Sequence, residues 1–190
     1  MQIVNERAPL IWEAIHKNIN LKERVVVDLG CGKGDLCNYA LKDKASRVIG
    51  VDNDQGELDI ARKKCQYNIG LLRLLNLDLE DHFNVIMHLW DIVPDYLVER
   101  SMIDVGICTS VLPYMNDPVC TLRNYMGVFR VMFVEMQYYG DGPGIELIKN
   151  DADMNRVMFD GNGIPIGRTF INGRDKYRTI WMYINPSVSN

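Results

Sequence analysis

The stretch V-V-V-D-L-G-C-G-K-G-D, from Val25 to Asp35, decides how the rest of the chain is read. An apolar, β-branched run ends in a carboxylate, Asp28. Glycines then alternate at 30, 32 and 34, and a helix-like segment begins near Leu36. Backbone approaches a ligand closely only where side chains are absent, and a helix start directs N–H groups toward it. The position that would complete a dinucleotide-binding G-x-G-x-x-G is Asp35, whose charge repels a pyrophosphate, so NAD and FAD are disfavoured.

Working outward, V-I-G-V-D-N-D (Val48 to Asp54) repeats the pattern of a buried strand ending in an acid, here Asp52. L-L-N-L-D-L-E-D (Leu74 to Asp81) does so again at Asp78. In an open α/β sheet a ligand lies across the carboxyl ends of the strands, where Asp52 can accept both hydroxyls of a ribose and Asp78 an adenine amino group. Either acid also suits a helix N-cap, the plainer alternative. Strands are predicted at Arg24–Leu29, Arg47–Val51, Leu71–Leu77, Ile103–Thr109, Val128–Met136, Pro165–Ile171 and Tyr177–Ile184. The first five alternate with helix-like or polar segments, the signature of parallel strands with crossover helices. The last two are joined only by Asn172, Gly173, Arg174 and Asp175, which permits nothing but an antiparallel hairpin. The expectation is an α/β three-layer sandwich on a mostly parallel sheet, preceded by an amphipathic helix after Pro9.

Composition sets the limits. The 190 residues are 47% hydrophobic and 24% charged, enough for one compact core and too few for two. One domain is expected, with an N-terminal helix in 1–20, a cofactor-binding core in 24–138 and an acceptor-side segment with the hairpin in 139–190. A net charge of -4 disfavours a bulk polyanion binder. No apolar run is long enough to span a bilayer, and a cytoplasmic protein is expected. The five cysteines include no C-x-x-C pair, and His16, His82 and His88 lack ligand spacing, so no metal site is expected. Trp12, Trp90, Trp181 and Tyr183 read as packing residues. Nothing in the pattern specifies an oligomeric state.

The motif V-D-L-G-C-G-K-G-D, with V-D-N-D and N-L-D-L-E-D after it, resembles the class I S-adenosylmethionine-dependent methyltransferases over roughly residues 24–138. That resemblance implies a seven-stranded sheet of order 3-2-1-4-5-7-6 with the seventh strand antiparallel. It implies S-adenosylmethionine as cofactor and S-adenosylhomocysteine as product. Asp28, Gly30 and Gly32 would line the methionine end, with Cys31 and Gly34 counted in the same loop. Asp52 would hold the ribose, Asn53 would flank the adenine, Asp78 and Leu79 would complete its pocket, and the backbone near Thr109 would meet the methionine amine.

Strand topology puts the acceptor beside Ser110–Pro118, Tyr138–Lys149 and Asn172–Lys176. The first segment contains Tyr114 but no N-P-P-Y or D-P-P-Y, and no Pro-Cys pair occurs anywhere, which weighs against DNA-methylating enzymes. The fourth strand ends in Ile107, Cys108, Thr109 and Ser110, without the acids a metal-assisted transfer needs. Glu135 stands in an apolar run and must be paired or functional. Pairing with an arginine from the last strands is the plainer reading and acceptor binding its rival. Ser110, Tyr114, Tyr138 and Arg174 are the acceptor-side candidates, with Tyr114 and Glu135 the catalytic ones. The basic hairpin around Arg174 suits an anionic acceptor, or simply a charged sheet edge. Methyl transfer to a nitrogen or oxygen of a small molecule is the expected function. An RNA, DNA or protein methyltransferase acting with a partner is one rival, and a non-catalytic cofactor-binding partner is another.

Overall fold

The computed structural model describes residues 7–135, 148–170 and 177–188. Seven strands, β1 (Val25–Leu29), β2 (Arg47–Asp52), β3 (Leu72–Asn76), β4 (Ile103–Thr109), β5 (Phe129–Glu135), β6 (Ile164–Phe170) and β7 (Tyr177–Ile184), form one sheet of order β3-β2-β1-β4-β5-β7-β6. The first five strands run parallel, and β7 is antiparallel to both β5 and β6. The expected architecture is thus found, including the reversed strand set by the short hairpin.

Every residue of β1 is buried because helices cover both faces of the sheet. Val25, Val27 and Leu29 face one core with α4 (His82–Ile92), α5 (Asp95–Glu99), α6 (Pro118–Met126) and α7 (Asp151–Phe159). Val26 points to the other core, which α1 (Arg7–Asn18), α2 (Asp35–Lys42) and α3 (Gln55–Lys64) complete. Alternation along a strand explains the split, and double coverage explains why the strand reads as a continuous apolar run. Trp12 is buried, stacks on Tyr39 and donates to Asp43; Trp181 packs against Phe159.

Element ends differ from expectation in instructive ways. Helix α1 starts at Arg7, ahead of Pro9, because proline in a first turn gives up no intrahelical hydrogen bond. β2 extends through Asp52, whose partner in register is Asn76. β3 loses Leu71 to a preceding 3-10 turn, Gln66–Leu71. Among the described residues no helix is long and apolar enough to cross a membrane.

Candidate active site

The site lies where β2, β1 and β4 end. Gly30, Gly32 and Gly34 all have positive φ, at 72°, 47° and 72°. The loop N–H groups do not point out to a ligand as a set, contrary to expectation. Gly30 and Cys31 donate to the Val51 carbonyl, Gly34 donates to the Cys31 carbonyl, and Gly32 donates to Asp52 Oδ2 at 2.8 Å. The Asp54 N–H donates to Asp52 Oδ1 at 3.0 Å. Two backbone donors thereby fix the Asp52 carboxylate at the tip of β2. Neither Asp52 nor Asp78 is a helix N-cap, since Asp54 caps α3 and Asp81 caps α4.

The three glycines have different reasons to be glycine. A Cβ on Gly30 would lie 2.7 Å from Val111 Cγ2, whereas one on Gly32 would meet nothing nearer than Glu57 Oε2 at 3.7 Å. Only its backbone angle and the cavity beside it therefore require glycine at 32. Gly34, expected to contact cofactor, is outside the cavity lining; a Cβ there would sit 2.7 Å from that of Ala61. Its absence lets α2 and α3 approach. Gly34→Ala should therefore destabilise the fold by about 2 kcal/mol, from left-handed strain plus overpacking, measured by urea denaturation.

Two adjoining hollows open above these strand ends. The first, about 330 Å³, is lined by Asp28, Gly30, Cys31, Gly32, Asp52, Thr109 and Ser110, with Arg7, Ala8 and Ile11 of α1 as a further wall. The second, about 280 Å³, is lined by Asn53, Asp78, Leu79, Glu80, Tyr114 and Met115. Both include Gly30, Asp52 and Val111, so Asp52 stands at their junction. Individually or together they match the few hundred Å³ typical of small-molecule sites. The expected cofactor residues are thus brought together, apart from Gly34.

Asp28 is buried beneath the first hollow and accepts from Cys37 Sγ at 3.5 Å. Burial pushes its carboxyl up to about 7; the Cys37 hydrogen bond opposes this, and the charges of Asp52 and Asp35 add to it. The Cys37 thiol is itself held well above its usual range by its hydrogen bond with Cys31 and by burial.

The acceptor-side candidates separate. Tyr114 lies in the second hollow beside Asp78 rather than with Ser110, because the 3-10 turn Leu112–Tyr114 carries the chain back over the β2 side. Glu80 holds that loop, accepting from the N–H and, at 2.8 Å, from Nδ2 of Asn116. Tyr138 and Arg174 lie outside the described residues.

Glu135 is fully buried and surrounded by donors. Arg7 Nε and Nη2 each reach it at 2.9 Å, Ser110 Oγ donates at 2.9 Å and Thr169 Oγ1 at 2.6 Å. Arg178 Nη1 is 3.8 Å from Oε2 and donates to Ser110 Oγ at 2.6 Å. An arginine of the last strands is therefore present, but the direct clamp comes from Arg7, which the sequence reading did not single out. Arg7 Nη2 also donates to Ser110 Oγ. Ser110 takes the left-handed φ of 59°, uncommon for a side chain with Cβ, and its N–H donates to the Glu135 carbonyl at 2.8 Å.

A methyltransferase-domain family matches residues 26–130. The chain is similar to a ubiquinone biosynthesis O-methyltransferase of Stutzerimonas stutzeri, 26% identical over 63% of this chain and 46% of that protein. It is also similar to a tRNA U34 carboxymethyltransferase of Pseudoalteromonas atlantica, 26% identical over 80% of this chain and 40% of that one. It spans under half the length of the curated relatives it matches. The structure of a magnesium protoporphyrin IX methyltransferase from Synechocystis PCC 6803 with bound SAM superposes with a TM-score of 0.65 at 16% identity, over 93% of this chain and 76% of the other. With the glycine loop, the strand-end acids and the sheet order already in place, the match over more than half its length means that the chain belongs to the class I S-adenosylmethionine-dependent methyltransferases.

Proposed function

We propose that the protein transfers a methyl group from S-adenosylmethionine to a nitrogen or oxygen of a small, anionic molecule. The observation carrying the cofactor half is Asp52, fixed by two backbone N–H groups, one on each oxygen, at the junction of two hollows. In this reading Asp52 accepts the ribose hydroxyls, and Asn53, Asp78 and Leu79 surround the adenine. Asp28, Gly30, Cys31 and Gly32 border the methionine end, with the Thr109 backbone at its amine. When bound, the cofactor supplies a methyl carbon activated by its sulfonium, so displacement needs alignment more than a strong base.

The residues on the acceptor side fit that economy. Glu135 accepts hydrogen bonds on both oxygens and acts as a positioning group, not as a proton acceptor. Tyr114, in the second hollow, belongs with the adenine side in this reading. Thr109 and Ser110 occupy the strand end where a metal-assisted transfer would want acids, so the transfer is read as metal-free. Salt-sensitive RNA binding would instead favour the reading suggested by the tRNA-modifying relative, which acts on nucleic acid by name.

Calorimetric titration with S-adenosylmethionine and S-adenosylhomocysteine, beside NAD, tests the proposal. Micromolar binding of the first two and none of NAD is expected. Asp52→Ala should weaken both by about 30-fold or more, the effect of losing hydrogen bonds to a charged group. Absence of binding by either nucleoside would overturn the proposal.

A further inference from the structure

Glycine at position 50, in β2, has a reason that lies outside its own strand. A Cβ there would sit 2.8 Å from Cys31 Sγ and 3.2 Å from Cys37 Sγ, so two sulfurs fill the space a side chain would take. The two thiols are also hydrogen-bond partners. Cys31 belongs to the glycine loop and Cys37 to the first turn of α2. Of the five cysteines only Cys31 lines either hollow; Cys37, Cys65 and Cys108 are buried and line neither, and Cys120 is exposed on α6.

This arrangement divides the chemistry between the two thiols. Oxidation begins where a reagent can reach, and the first hollow brings small molecules to Cys31. Cys37 has no exposed surface and holds its proton tightly, so it is inert toward reagents in solution yet in contact with whatever forms on Cys31. Asp28 Oδ2 accepts from Cys37 Sγ at 3.5 Å, which gives that proton a destination. Burial pushes the Asp28 carboxyl up to about 7 and makes it a stronger base than an exposed carboxylate.

We propose that Cys31 and Cys37 form a thiol-oxidation site within the cofactor loop, where a hydroperoxide converts the pair to a disulfide that weakens nucleoside binding. The Cys31 sulfur attacks the peroxide, the O–O bond breaks, and Cys31 sulfenic acid is formed with an alcohol, or with water when the oxidant is hydrogen peroxide. The Cys37 sulfur then displaces hydroxide from Cys31; its proton passes to Asp28 and on to the hydroxide, which leaves as water. Two thiols and one hydroperoxide give one disulfide, one alcohol and one water. Bonded sulfurs stand about 2.05 Å apart, closer than hydrogen-bonded thiols, so the bridge draws Cys31 toward α2. Gly32, next in the chain, moves with it, and its N–H is one of the two donors that fix Asp52. The effect on binding rests on the cofactor reading above.

The test treats the full chain with hydrogen peroxide, blocks remaining thiols with iodoacetamide and digests with trypsin, which cuts after Lys33 between the two cysteines. Peptides 25–33 and 34–42 should appear joined by a disulfide that dithiothreitol separates. Oxidised protein should bind S-adenosylhomocysteine about tenfold or more weakly than reduced protein, with full recovery in dithiothreitol. Cys37→Ser should bind it as reduced wild type does, form no linked peptides, and keep on peptide 25–33 a sulfenic acid that dimedone traps. Asp28→Asn should form the linked peptides about tenfold or more slowly, and an equal rate would overturn Asp28 as the proton acceptor.

Unlinked peptides from oxidised wild type, unchanged binding by the bridged protein, a loss that dithiothreitol does not reverse, or an equal reversible loss in Cys37→Ser each overturns the proposal. Reduced wild-type protein that does not bind S-adenosylhomocysteine defeats the cofactor reading instead, while the linked peptides still report the bridge.

Discussion

Glu135→Ala should lower the unfolding free energy by about 3–5 kcal/mol, the usual consequence of removing one member of a buried ion pair. The carboxylate has no exposed surface and binds four elements at once: Arg7 of α1, Ser110 after β4, Thr169 of β6 and Arg178 of β7. Its removal takes one carboxylate from beside the buried Arg178 guanidinium and leaves Thr169 without that acceptor. It also removes two of the hydrogen bonds that tie Arg7, in the first turn of α1, to the sheet. Urea denaturation followed by circular dichroism measures the loss. A change under about 1 kcal/mol would mean that the arginines are effectively solvated, as in exposed pairs, and would remove the basis for treating Glu135 as the organiser of this wall.

Asp28→Asn should act in the opposite direction and depend on pH. Burial raises the folded-state pKa of Asp28 from 3.8 to about 7, so the folded protein binds the proton more tightly than the unfolded chain. The associated stability is fully present below about pH 4 and is lost as pH rises through about 7, reaching at most about 4 kcal/mol at 1.36 kcal/mol for each unit. Asparagine cannot ionise, and its amide oxygen still accepts from Cys37 Sγ. Variant and wild type should therefore match near pH 4, with the variant more stable by a few kcal/mol at pH 8 in the absence of ligand. Urea titrations at three pH values measure the difference. Parallel pH profiles would show that Asp28 is not desolvated. A carboxylate kept where it destabilises the empty protein fits a group whose charge is used when a cation is bound, the familiar exchange of stability for function.

The local features were legible because local physics sets them. Val25–Leu29 reads as a doubly buried strand, the glycine pattern demands left-handed turns, and a four-residue polar link leaves the last strands no choice but to reverse. Strand-end acids can be located the same way, and Asp28, Asp52 and Asp78 do line the two hollows. Even within the motif, however, the reason for Gly34 was hidden, because its close neighbour Ala61 is on another helix.

By itself, then, the sequence determined the strands, their glycine turn, the reversed hairpin and the row of acids at the strand ends. Only the tertiary structure decided that Arg7 lines the first hollow, that Tyr114 shares the second with Asp78, and that Glu135 is answered by Arg7. Arg7 and Glu135 are 128 residues apart, and no periodicity links them. Their pairing follows from helix α1 packing across the sheet, where a buried carboxylate requires donors and the first turn of that helix comes close enough to add a charged one to those of Ser110 and Thr169.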